Sequence, residues 1–194
     1  MILLVFALLG FLLGLLSGGS LRNVSRYPLY GALLPVAAFL LKAGAAWLFV
    51  PQTGALIVCL IQYILLFLFI LLNHRRPAWP LFAFGGTLLN FLVIVLNGGC
   101  MPVAVGLAGD TGERLTLLAE GRIYAYCLMD ESTRLAFLGD VIRIGPAGMP
   151  LGFASIGDIL LSLGVAILCW QMTKSASGTA TGENTAQISK NEKQ

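Results

Sequence analysis

The chain has 194 residues, 58% of them hydrophobic and only 11% charged, with a formal net charge of +3 and a mean hydropathy of +0.88. Soluble domains are about half apolar and about a quarter charged, so charged groups this scarce cannot cover a water-facing surface, and the bilayer must be the solvent for much of the chain. That excludes a secreted domain, a cytosolic enzyme, a disordered chain and a nucleic-acid binder.

Crossing roughly 30 Å of hydrocarbon takes about 20 helical residues. Five apolar stretches approach that length, near residues 2–19, 29–50, 55–73, 81–99 and 154–172. The expected fold is an all-α integral membrane protein of five transmembrane helices. Residues 1–174 form a single membrane domain, with an extracytoplasmic segment of short amphipathic elements at 98–153. The first stretch lacks a basic start and a small-x-small cleavage site, so it reads as a retained helix rather than a signal peptide. Its Gly10, Gly14 and Gly18 recur every four residues on one face, which lets a second helix approach closely, from the same chain or from a second copy.

Pro28 precedes the second span. Lys42 lies near the middle of that span, as a snorkelling or ion-paired side chain or as a functional charge. Pro51-Gln52-Thr53-Gly54 makes a short hairpin into the third span, where Gln62 is placed to hydrogen-bond a neighbouring helix. His74 stands beside Arg75 and Arg76, a setting for lipid headgroups; a lone histidine makes no metal site. Pro77 and Pro80 precede the fourth span, in which Asn90 and Asn97 share one face. The long segment then opens with Asn97-Gly98-Gly99-Cys100-Met101-Pro102-Val103, a flexible turn locked by proline. It continues through helical periodicity at Leu115, Leu118 and Ile123 to Thr133–Asp140, a link containing Pro146 and Pro150, and Ser155-Ile156-Gly157-Asp158 at the start of the fifth span. Apolar content alternates along it, which suits short pieces lying on the membrane surface. Cys100 and Cys127 both fall in this segment and can pair if that side is oxidising. Residues 175–194 carry almost no apolar anchor and read as a disordered cytoplasmic tail.

Lys and Arg are retained on the cytoplasmic side. Arg22 and Arg26, Arg75 and Arg76, and Lys174, Lys190 and Lys193 all fall on alternate connections, whereas the long segment is net acidic. The orientation is therefore amino terminus outside and carboxyl terminus inside.

Asp140 and Asp158, eighteen residues apart, both fall at the outer interface. One reading is structural: Ser155 is an N-cap, Asp158 the N3 partner of a capping box favoured by the helix dipole, and Asp140 a turn carboxylate. The other is an aspartyl dyad. Two carboxylates about 3 Å apart share a proton, so one serves as base toward water and the other as acid toward a scissile carbonyl. Neither a Gly-rich phosphate loop, a Ser-His-Asp set nor an HExxH pattern occurs, and no cofactor or metal is expected.

Up to its tail, the chain resembles an uncharacterised bacterial membrane family known only as a domain of unknown function. The motifs that carry the resemblance are Asn97-Gly98-Gly99-x-Met101-Pro102-Val103, Thr133-Arg134-Leu135-Ala136-Phe137-Leu138-Gly139-Asp140 and Ser155-x-Gly157-Asp158. That family implies no activity. The C-terminal half is also similar to lipoprotein signal peptidase, whose second catalytic aspartate lies in an F-N-x-A-D motif opening the final helix. Here Phe153-Ala154-Ser155-Ile156-Gly157-Asp158 stands in that place, Asp140 matches the first aspartate, and Asn97-Gly98-Gly99 is similar to its N-x-G turn. The enzyme's N-x-x-D-R element is missing, and five spans replace four.

The resulting expectation is a multi-span membrane protein of unassigned activity that works at the outer face. Asp140 and Asp158 are its candidate catalytic residues, and Asn97, Gly98, Gly99, Met101, Pro102 and Ser155 its candidate binding residues. The first alternative is an intramembrane aspartyl hydrolase acting on a membrane-anchored substrate. The second is a scaffold that binds another membrane protein. Transport through Lys42, Gln62 and Asn90 ranks last, because no discontinuous-helix pair or inverted repeat is evident.

Overall fold

The computed structural model describes residues 2–48, 51, 54–104, 113–145 and 152–174. The structure is mostly helical: α1 (Ile2–Leu16), α2 (Leu21–Val24), α3 (Leu33–Trp47), α4 (Ala55–Leu72), α5 (Trp79–Leu96), α6 (Glu113–Ala119) and α7 (Ile156–Lys174). Three helices, α4, α5 and α7, are long and apolar enough to cross a membrane, and they point to a membrane protein. The apolar α1 and α3 have 15 residues each, about 22 Å of helix. The expected tail at 175–194, the Pro146–Pro150 link and residues 52–53 of the expected hairpin lie outside the described residues.

Helix ends differ from the expected bounds for local reasons. The first span was expected to reach residue 19, but α1 stops at Leu16. Gly18 there takes φ +88°, and the Gly18 and Gly19 N–H groups donate to Leu15 and Gly14, a Schellman stop. The second was expected from residue 29, but α3 begins only at Leu33. The side chain of Asn73 accepts from the Tyr30 N–H and donates to its carbonyl, holding that stretch outside the helix. The same stop ends α5 at Leu96, three residues earlier than expected, with Gly98 and Gly99 at φ +71° and +91° donating to Val95 and Ile94.

The five longer helices pack in the sequence α3–α4–α5–α7–α1, so α1 and α3, neighbours along the chain, lie at opposite ends of the row. Small residues set the close contacts. Gly10 and Gly14 of α1 lie against Ala166 and Thr173 of α7; Gly86 of α5 lies against Gly157 and Leu161, and Gly164 of α7 against Ala83. The α1 glycine face therefore packs within the chain through Gly10 and Gly14, while Gly18 serves the helix stop. Large apolar side chains such as Leu8, Leu12 and Leu16 of α1 and Leu33, Phe39 and Leu40 of α3 stay exposed, as lipid-facing surfaces do.

The long connection adds strands to the expected helical pieces. β1 (Met101–Val103) pairs in parallel with β2 (Tyr126–Leu128), Met101 opposite Tyr126. β3 (Ile142–Ile144) pairs antiparallel with β4 (Gly152–Ala154). A 3-10 turn spans Ala136–Leu138, and Val103 bridges Asp140. A Cys100–Cys127 disulfide, with Cα atoms 5.8 Å apart, ties β1 to β2. Met101 and Leu138 enter one core cluster with Cys59, Tyr63, Val93 and Ile94, so the connection is docked onto the ends of α4 and α5.

Candidate functional site

Asp158 sits at the first turn of α7 in a closed polar ring. Its backbone N–H donates to Ser155 Oγ (2.9 Å), and its Oδ2 accepts from the Ser155 N–H (3.2 Å), a reciprocal capping box. Oδ1 accepts from Asn90 Nδ2 (2.8 Å), and Ser155 Oγ donates to Asn90 Oδ1 (2.8 Å). Ser155 is wholly buried. Gly157 makes the ring possible, since a Cβ at that position would fall on the Asn90 amide. Asn90 thus bonds the neighbouring helix as expected, and its partner is the candidate carboxylate itself. Its polar side chain inside an apolar span was the signal for that partnership.

Asp140 is held through its main chain: its N–H donates to Pro102 (2.9 Å) and its carbonyl accepts from Ala104 (3.1 Å). The residue is only 6% exposed, and its Oδ1 is buried with no hydrogen-bond partner. Burial, reinforced by the charge of Asp158, pushes the carboxyl up to about 7, against the opposing influence of Lys42. The two aspartates and Lys42 therefore lie within electrostatic reach of one another. Both oxygens of Asp158 accept bonds from Asn90 and Ser155, and Asp140 is not the partner of either; the expected proton-sharing contact stands as a proposal.

The other candidate residues fasten the long connection to the helix ends. Asn97 Nδ2 donates to Val93 (2.7 Å) and to the Arg134 carbonyl (2.8 Å), and its Oδ1 accepts from the Arg134 N–H (3.0 Å), clamping the long connection to the end of α5. Gly99 backs onto the Leu56 amide, where a Cβ would collide; Gly98 faces open space. Met101 and Pro102 are buried in β1, with Pro102 supplying the carbonyl that holds Asp140.

A feature absent from the sequence expectations adjoins this site. A small cavity between α3, α4 and the long connection is lined by Lys42, Cys59, Gln62, Tyr63, Gly99 and Tyr124 among others. The Lys42 ammonium lies 5.3 Å from the centre of the Tyr126 ring. Among the described residues the ion pair is Arg122–Glu120, remote in character and exposed, so Lys42 has no carboxylate at pairing distance. The Tyr124 hydroxyl is buried without a partner. Lys42 was singled out in the sequence, but only packing brings the two tyrosines to it. His74, exposed, has its ring Nδ1 2.8 Å from the Leu71 carbonyl.

Residues 26–170 match the family of unknown function DUF5317. The chain belongs to DUF5317. A relative from Thermotoga maritima, an uncharacterised protein, is 31% identical over 82% of this chain and 85% of its own. No solved structure matches. The DUF5317 match extends from before α3 to near the end of α7, so it contains Lys42, Asn90, Asp140 and Asp158 together. It assigns none of them a role.

Proposed function

We propose that the chain is a five-span protein of the bacterial cytoplasmic membrane, amino terminus outside, whose long connection forms the working surface at the outer face. We further propose that Asp140 and Asp158 there hydrolyse a membrane-anchored substrate. The charge pattern supports the orientation. Arg22, Arg26, Arg75, Arg76 and Lys174 gather at the opposite end from the long connection, and Arg76 lies over the rings of Tyr27 and Tyr30, as cations anchor at an interface. At 15 residues, α1 and α3 cross a locally thinned bilayer with flanking residues at its edges.

The observation that carries the catalytic reading is the buried carboxyl of Asp140, one oxygen unpartnered, within electrostatic reach of Asp158. An orphaned buried polar group costs about 1–3 kcal/mol, a cost that ordinary turn carboxylates avoid by facing water. In this reading Asp158 takes a proton from water as its oxygen attacks the carbonyl carbon, and protonated Asp140 donates to the carbonyl oxygen. The tetrahedral adduct then collapses: one of its hydroxyls returns a proton to Asp140 as the carbonyl re-forms, the carbon–nitrogen bond breaks, and the amine leaves with the proton held by Asp158. Asn90 and Ser155 orient Asp158 for that role.

The test is cleavage of a palmitoylated fluorogenic peptide by purified protein in lipid nanodiscs. Asp140→Asn and Asp158→Asn each reduce the rate about a thousandfold while the protein stays inserted and folded. Undiminished cleavage in either variant overturns the reading. The closed capping box favours a second reading, a scaffold that binds another membrane protein, in which Asp158 serves the fold alone. It predicts co-purification with a partner that survives Asp140→Asn.

A further inference from the structure

We propose that the cavity under the long connection is a binding site for a phosphate oxyanion, presented by the headgroup of an anionic membrane lipid. Lys42 is its counter-ion, and the Tyr124 hydroxyl and Gln62 amide are its hydrogen-bond donors. This rests on the membrane reading of the chain but not on the acid–base role of the aspartates.

Four observations converge on the cavity. First, Lys42 brings a cation into an apolar helix, where an unpaired charge is costly and marks a functional contact. Its ammonium lies over the Tyr126 ring, which fixes the side chain while leaving its three donors for a ligand. Second, no carboxylate among the described residues lies within ion-pair distance of it. Asp140 and Asp158 are close enough to be felt electrostatically without neutralising it by contact. Third, the Tyr124 hydroxyl, which lines the same cavity, is buried and unsatisfied; a ligand oxygen supplies the missing acceptor. Fourth, the backbone there is held in an unusual conformation: Ala125, also in the lining, takes φ +61° as a non-glycine residue. Strain of this kind persists where the surrounding structure imposes it, often at ligand sites.

The one charge in the lining is an ammonium, the phenol O–H and amide N–H can donate beside it, and no carboxylate lines the cavity, which suits an anion. At about 10 Å³ the cavity admits a single oxygen of the phosphate. On α4, the lining residues Val58, Cys59, Gln62 and Tyr63 share one helix face, opposite the exposed Ile57, Leu60, Ile61 and Ile64. A lipid phosphodiester and free phosphate present the same oxygens to this lining, and the experiment separates the two sources.

The experiment measures retention of phosphatidylglycerol, with phosphatidylcholine as the net-neutral control, by native mass spectrometry of the full chain released from detergent. Wild type retains phosphatidylglycerol at least about tenfold better. Lys42→Gln loses that preference, Lys42→Arg keeps most of it, and Tyr124→Phe weakens it about threefold. Arg75→Gln, at the opposite end, separates general attraction of anionic lipid to basic surface residues from the cavity, and it leaves the Lys42-dependent preference in place. Asp140→Asn also retains the lipid, so loss of peptide cleavage with intact lipid binding separates this site from the acid–base reading. Inorganic phosphate is titrated in parallel. Lys42-dependent phosphate binding without a lipid preference assigns the oxyanion site to a soluble ligand. Equal phosphatidylglycerol retention in wild type and folded Lys42→Gln, with no Lys42-dependent phosphate binding, overturns the proposal. If Lys42→Gln does not insert, Tyr124→Phe, which deletes one oxygen, decides: unchanged retention of both probes rejects the site.

Discussion

At Asp140 a carboxyl is held out of water with one oxygen unpartnered, so its charged form is the costly one. The folded chain therefore keeps a proton that the unfolded chain releases between the ordinary 3.8 and about 7. With more protons bound in the folded state, stability is greatest below that window and is lost as pH rises through it. Asp140→Asn removes the titration. Unfolding in detergent should then lose its downward slope from pH 4 to pH 7, and at pH 8 the variant should exceed wild type by about 2 kcal/mol. Asp158→Asn acts differently, because its carboxylate caps α7 and accepts from Asn90. It should lower stability by about 1 kcal/mol with the slope contributed by Asp140 made shallower. Thermal unfolding of both variants across pH separates the two roles. The sequence offers Ser155 as the cap of the helix that carries Asp158, which the structure has; it does not show that Asp140 is buried. Burial of that carboxyl depends on Pro102 and Val103, brought to it from almost forty residues away along the chain, a long-range pairing that local pattern does not encode.

Among the elements, the helices were legible because their apolar length and their glycine and proline punctuation are local properties. Their ends were less so: Gly18 and Asn73 cut α1 and α3 short through a backbone stop and a side-chain bond from another helix. The strands were not legible, since elements of three residues show no alternation to read. The glycine stripe left two partners open, and packing against Ala166 and Thr173 supplies one within the chain. Glycine substitutions test this level. Gly157→Ala places a methyl on the Asn90 amide and should cost about 2 kcal/mol or more, through overpacking and a broken polar ring. Gly44→Ala, with open space around it, should be neutral or stabilising by about 0.5–1 kcal/mol. Equal effects at the two positions would reject close α5–α7 packing as the determinant.

Over the whole molecule, one end carries the basic anchors and the other a connection fastened three ways: through Asn97 to Arg134, through Met101 and Leu138 in the helical core, and through Cys100–Cys127. Fastening of this kind keeps Asp140, Asp158 and Lys42 in register across α3, α7 and the connection. Reducing the disulfide should loosen the connection while α4, α5 and α7 stay packed, visible as faster amide exchange over 99–104 and 125–129 with helix protection unchanged; uniform protection before and after reduction would contradict the stapling role. Hydrolysis by these aspartates requires a proton-exchanging carboxyl within electrostatic reach of a second carboxylate. Infrared difference titration of the protonated-carboxyl band, wild type minus Asp140→Asn in nanodiscs, measures it directly. The expected result is a single carboxyl titrating near 7 that moves lower in Asp158→Asn. A band that titrates in the ordinary carboxylate range, or one indifferent to Asp158, would contradict that reading.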